Sequence, residues 1–180
     1  MNKNQEFWNL FSRYALLIIL ALGSLWVFYL VFTPLTIYPT YWLLNYFFGA
    51  ALNTAESVIF VEGVPIEMIK ACIAGSAYYL LLIFNLSTPN INISKRMKMI
   101  VGSFLIFLVI NIIRIVLLTI MYINNSSFFD VTHKATWYIG SIIVVMAIWF
   151  YQVKAYKIKD IPFYSDLKFL YKHSLLRKRK

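Results

Sequence analysis

Three side chains in this 180-residue sequence have the types that acyl transfer requires: the single cysteine Cys72, the arginine Arg114 and the histidine His133. Arg114 is the most telling, because it lies inside residues 99–123, an apolar run long enough for the roughly 20 residues of a membrane span. Asn111, three positions earlier, shares its helical face. A charge at that depth costs roughly 3 to 10 kcal/mol or more, so an intramembrane arginine marks a functional site by default. Snorkelling to the interface, or fixing helix packing, is the plainer alternative.

A cysteine nucleophile needs thiolate character, which a nearby cation supplies. Imidazole moves protons near neutral pH and can serve the leaving or attacking amine. A guanidinium can hold a developing oxyanion without losing its own proton. One Cys, one buried Arg and one His fill these roles with nothing spare. The sequence has no metal-ligand cluster, Ser-His-Asp set or Gly-rich phosphate loop to suggest competing chemistry, and no cofactor is expected. Taken singly, each residue has a structural reading. A lone membrane cysteine packs as a small hydrophobe, and small residues beside Cys72 (Gly75, Ser76) and His133 (Thr136, Gly140, Ser141) let helices approach closely.

The composition requires a membrane setting for this chemistry. Hydrophobic residues make up 61% of the chain and charged ones 13%, with a mean hydropathy of +0.72, so polar surface is too scarce for a soluble globule. The net charge of +10 suits topogenic basic residues better than nucleic-acid binding, for which there is no motif. With one cysteine, no intrachain disulfide can form.

Read in order, residues 14–32 form a first, uncleaved span ending before Pro34, and Pro34 and Pro39 break the helix. Residues 41–52 are too few to cross and form an interfacial or re-entrant segment. Residues 57–66 read as a short extended piece with a turn at Glu62-Gly63. A second span runs from about 65 to 86, with Pro65 in its first turn. The third is 99–123, preceded by Lys95, Arg96 and Lys98. The fourth covers about 131–151 and has His133 in its first turn.

Four spans place both termini on one side together with the loop at 87–98. That side holds Lys3, Arg13, Lys95, Arg96, Lys98 and nine more after Gln152, while the other holds Lys70 and Lys134. The positive-inside rule puts the basic side in the cytoplasm. On this topology Arg114 lies roughly 12 Å below the outer end of its span, and Cys72 roughly 10 Å below the outer end of its own, at 1.5 Å rise per residue. The three reactive residues therefore meet near the extracytoplasmic face.

Ala71-Cys72-Ile73-Ala74-Gly75 at the head of one span, Asn111-Ile112-Ile113-Arg114-Ile115 inside the next and His133 opening the last resemble the exosortase/archaeosortase family of membrane-embedded cysteine transpeptidases. The likeness covers about residues 56–140, and Asn-x-x-Arg-Ile is its most specific part. It implies Cys72, Arg114 and His133 as the catalytic set, with exported proteins as substrates. Their C-terminal sorting signal is a short motif, a transmembrane helix and a basic cluster. It is cut outside the cytoplasm, and the new C-terminus passes to an acceptor. Many members have glycine two residues after the cysteine, where this chain has Ala74, and many carry additional spans.

The expectation is thus an all-α integral membrane protein with about four transmembrane helices plus a short interfacial or re-entrant segment, both termini cytoplasmic. A catalytic domain spans 1–152. A basic tail, 153–180, is suited to lie as an amphipathic helix on an anionic leaflet. Cys72 attacks the scissile carbonyl, Arg114 holds the oxyanion or the substrate, His133 moves the proton, and Asn111 and Tyr79 contact substrate. The alternatives are a protease, differing only in water as acceptor, and a non-enzymatic transporter or assembly subunit with Arg114 and Asn111 in a polar path.

Overall fold

The computed structural model describes residues 3–22, 25–89, 91–158 and 171, and these are mostly helical. Four helical stretches are long and apolar enough to cross a membrane: Trp26–Phe48, Lys70–Ser87, Ile93–Ile123 and Phe129–Ala155. Successive stretches run antiparallel, and a small sheet closes one end of the bundle.

The first span differs from the expectation. Helix α1 (Lys3–Leu22) ends before Leu25, which turns the chain with a positive φ of 58°, and α2 (Trp26–Phe48) then runs unbroken through Pro34 and Pro39. Each proline loses one backbone bond. Ending the helix in an apolar environment would leave several groups unpaired, which is why spanning helices tolerate proline. Residues 41–52 are consequently the end of α2 followed by a strand, and the interfacial or re-entrant segment does not exist. Helix α1 joins the opposite end of the bundle, where the Arg13 guanidinium donates to the Leu86 carbonyl at 3.2 Å.

After α2 the chain forms a three-stranded antiparallel sheet, β1 (Ala51–Asn53), β2 (Val58–Val61) and β3 (Val64–Glu67), in the order β1-β2-β3. Glu62 and Gly63, at φ 51° and 80°, make the two-residue turn whose twist suits a hairpin. Ile59 and Val61 are fully buried and fix the sheet to the bundle. The expected turn is therefore present, and the all-helical expectation gains a sheet.

Pro65 belongs to β3 and does not open a helix. The second span starts at Lys70 and is itself interrupted: α3 (Lys70–Ile73) stops at Ala74, which has φ 57° and ψ 41°, and α4 (Gly75–Ser87) continues it. Gly75 is required there by close approach, since a Cβ would come within 2.8 Å of the Tyr29 ring. Helix α5 (Ile93–Ile123) begins earlier than expected and takes Lys95, Arg96 and Lys98 into its first turns. The Asn92 side chain caps it by accepting from the Ser94 N–H. The last span is α6 (Phe129–Ala135), a π-helical turn (Thr136–Gly140) and α7 (Ser141–Ala155). Beyond it the tail at 159–170 and 172–180 lies outside the described residues.

Stacked rings fill the core between α2, α4 and α5. Tyr78 lies parallel to Phe32 at 3.5 Å between centroids, and Phe104 and Phe107 meet it edge-on at 5.6 and 4.9 Å. This packing sets α4 and α5 against each other below the sheet, and so fixes where their reactive side chains emerge.

Candidate functional site

The break at Ala74 governs the local geometry. A left-handed turn at a non-glycine residue costs roughly 1–2 kcal/mol, and it ends the hydrogen-bond ladder one turn into the helix. The carbonyls of Ala71 and Cys72 then take side-chain donors from α5. Arg114 Nη2 donates to Ala71 O at 3.4 Å, and Asn111 Nδ2 donates to Cys72 O at 2.8 Å. The face of α5 that carries Asn111 and Arg114 thus holds the short cysteine-bearing turn in place.

Cys72 therefore sits in the first turn of its helix and not some 10 Å along it. Its thiol points at the Glu67 carbonyl, with Sγ 4.0 Å from the oxygen. Above it opens a cavity of about 230 Å³ between β3, α3, the end of α5 and the start of the last span. Cys72, Arg114 and His133 all line it, so the structure brings the proposed catalytic set to one space. Pro65, Ile66, Ile115, Leu118 and Trp137 make the rest of the wall largely apolar.

Arg114 meets the cavity with an unneutralised charge. No carboxylate pairs with it among the described residues, and its Nε is buried without a hydrogen-bond partner. It is close enough to interact electrostatically with Cys72, as is Glu67 on the same cavity, whose charge acts in the opposite sense. A cation so placed favours a thiolate or an oxyanion beside it.

His133 is positioned by aromatic rings. Phe129 stacks on it at 5.5 Å and 14°, and Trp137 lies at 6.3 Å on the other side. These residues stand four apart on one helical face, which is why they align. No hydrogen bond to the imidazole occurs among the described residues, and His133 lines the cavity. The π-helical turn begins at Thr136, whose hydroxyl donates to the carbonyls of Thr132 and His133 at 2.8 and 3.1 Å. Such turns often occur at functional sites.

Two candidate substrate contacts lie elsewhere. Asn111 is buried behind Cys72 and absent from the cavity wall, so it supports the Cys72 backbone and does not reach the cavity from this position. Tyr79 faces α1, donating from its hydroxyl to the Leu17 carbonyl at 2.7 Å, and packs. The sequence reading missed the aromatic pair around His133, although the four-residue spacing was present. It also missed Leu118, Thr119 and Tyr122, which continue the Arg114 face toward the cavity mouth. No group of three metal-ligating side chains occurs among the described residues.

No family model, curated protein or solved structure matches the chain.

Two expected outcomes follow from the break. Ala74→Gly relieves the left-handed strain and raises stability by about 0.5–1 kcal/mol after glycine's own entropy cost, a rise of a few degrees in melting temperature in detergent. A fall would show that Ala74 is not held left-handed. Asn111→Ala leaves the partly buried Cys72 carbonyl without its side-chain donor. It costs about 1–3 kcal/mol by thermal unfolding. A neutral result would remove Asn111 from the support of the turn.

Proposed function

We propose that this chain is a multi-pass membrane cysteine transpeptidase of the exosortase/archaeosortase kind, cutting C-terminal sorting signals of exported proteins on the extracytoplasmic side. The observation that carries the reading is the one cavity onto which Cys72, Arg114 and His133 open, with a half-buried arginine that pairs with no carboxylate among the described residues. The asymmetry of basic residues supports the orientation, with the sheet end outside the cytoplasm.

In the proposed reaction His133 takes the Cys72 thiol proton and the thiolate attacks the scissile carbonyl carbon, forming a C–S bond, while Arg114 holds the oxygen that carries the negative charge. The C–N bond then breaks, and His133 delivers a proton to the departing amine. The amine leaves with the transmembrane helix and its basic cluster. His133 next takes a proton from the acceptor, whose attack on the thioester releases the thiolate and a product with a new C-terminus. An apolar wall around a small polar set suits a peptide segment entering from the bilayer surface. The transporter alternative draws less support, because Asn111, the group expected to share a polar path with Arg114, is tied to the Cys72 carbonyl and does not line the cavity.

The test is mass spectrometry of the C-termini of exported proteins in cells carrying wild type, Cys72→Ala, Arg114→Ala or His133→Ala. A set of proteins that loses its C-terminal helix only in wild type supports the reading. Identical C-termini in all four strains, with folded variants, would overturn it.

A further inference from the structure

The free edge of the sheet lies on the proposed active site. Among the described residues strand β3 pairs with β2 alone, and its Pro65, Ile66 and Glu67 line the cavity of Cys72, Arg114 and His133. The hydrogen-bond phase of the hairpin shows which backbone groups face outward. Met68 N donates to Ser57 O at 3.0 Å, and the register pairs Ile59 with Ile66 and Val61 with Val64. In an antiparallel ladder hydrogen-bonded pairs alternate with non-bonded ones, so residues 64, 66 and 68 point their N–H and C=O at β2, and residues 65 and 67 point theirs away.

Three outward groups result: the Pro65 carbonyl, the Glu67 N–H and the Glu67 carbonyl. Proline at 65 costs the sheet nothing, since its missing N–H would have faced the open side. The Glu67 carbonyl is the same atom that lies 4.0 Å from Cys72 Sγ. A chain pairing with Glu67 would therefore run directly past the thiol.

We propose that the substrate's scissile segment binds in extended form as a fourth strand on the free edge of β3, taking hydrogen bonds from Glu67 N–H and giving them to the Pro65 and Glu67 carbonyls. This rests on the transpeptidase reading and specifies how that site holds its substrate. The occupant is an extended peptide because the edge offers only main-chain donors and acceptors in strand register, and because it continues into the cavity that holds the nucleophile. Main-chain pairing of this kind supplies affinity without sequence, while alternate side chains enter flanking pockets. The apolar wall of Ile66, Met68, Ile69 and Leu118 then selects an apolar side chain beside the cut. The bound strand also covers an exposed edge that would otherwise invite other chains.

Glu67→Pro tests this, because it deletes the outward N–H while breaking no bond to β2. Processing of exported C-termini, measured by mass spectrometry, is expected to fall at least about 10-fold, and less than about 3-fold in Glu67→Ala, which keeps the N–H. Leu52→Pro is the comparison. The β1 register pairs Ala51 with Phe60 and Asn53 with Val58, so the N–H of Leu52 faces out from the opposite edge. That variant is expected to process like wild type. If Glu67→Pro fails to accumulate, an ester in place of the Ile66–Glu67 amide deletes the same N–H and is expected to show the same loss. Wild-type processing in the proline or ester variant overturns the fourth strand and leaves the transpeptidase standing. So does a loss no greater than that of Glu67→Ala or Leu52→Pro. C-termini that are the same in wild type and Cys72→Ala overturn both.

Discussion

Cells carrying Cys72→Ala are expected to keep the C-terminal helix on every protein that wild type trims, a loss of at least ~10³-fold in processing rate. The size follows from the proposed role. A nucleophile that forms the covalent intermediate has no substitute, because Cys72 is the chain's single cysteine and no other nucleophile is expected to replace it. Cys72→Ser should fall nearly as far, since a hydroxyl gains little ionisation from a neighbouring cation. Stability should barely change in Cys72→Ala, because the half-buried thiol makes only a long contact to the Glu67 carbonyl. A Cys72→Ala enzyme that still trims would mean that the thiol packs and nothing more.

Arg114→Met should separate stability from activity in opposite directions. The arginine sits in α5 with no acid partner among the described residues and with Nε unsatisfied, so the fold carries a charge without an ion pair. Replacing such a charge by an apolar side chain of similar length is expected to raise stability by about 1–4 kcal/mol, less the bond to Ala71 O. Removing an oxyanion donor lowers turnover by roughly 10²–10³-fold. A variant that is harder to unfold yet inactive would identify Arg114 as retained for chemistry at the expense of the fold. A variant that unfolds more easily would make the arginine a structural clamp on α3. Thermal unfolding in detergent and C-terminal mass spectrometry on the same preparation read both quantities.

The parts of this architecture that were legible in the sequence were those with long-range apolar periodicity. The run at 99–123 is helical because nothing in it breaks the pattern, and Asn111 and Arg114 share a face because they are three residues apart. The hairpin was legible from Glu62-Gly63 between apolar runs. The first span was not, because proline was read by its rule in water. In an apolar environment the cost of unpaired backbone is larger, so α2 continues through Pro34 and Pro39 and ends at Gly49. Pro65 misled in the reverse sense: it suits the first turn of a helix and the open edge of a strand equally, and only the pairing of β2 with β3 decides. The break at Ala74 had no signal at all, since alanine is the best helix former and the left-handed turn is imposed by the packing around it. The role of Asn111 was invisible for the same reason. Its partner is a carbonyl that is free only because that break exists.

The most direct test of the central claim is interception of the acyl-enzyme. Hydroxylamine added to membranes carrying the wild-type protein competes with the natural acceptor for a thioester and should leave a hydroxamate at the C-terminus of trimmed proteins, detected by mass spectrometry. The account predicts hydroxamate-terminated products with wild type, none with Cys72→Ala, and sharply fewer with Arg114→Met. Trimmed C-termini without hydroxamate, or the same products with and without Cys72, would contradict it.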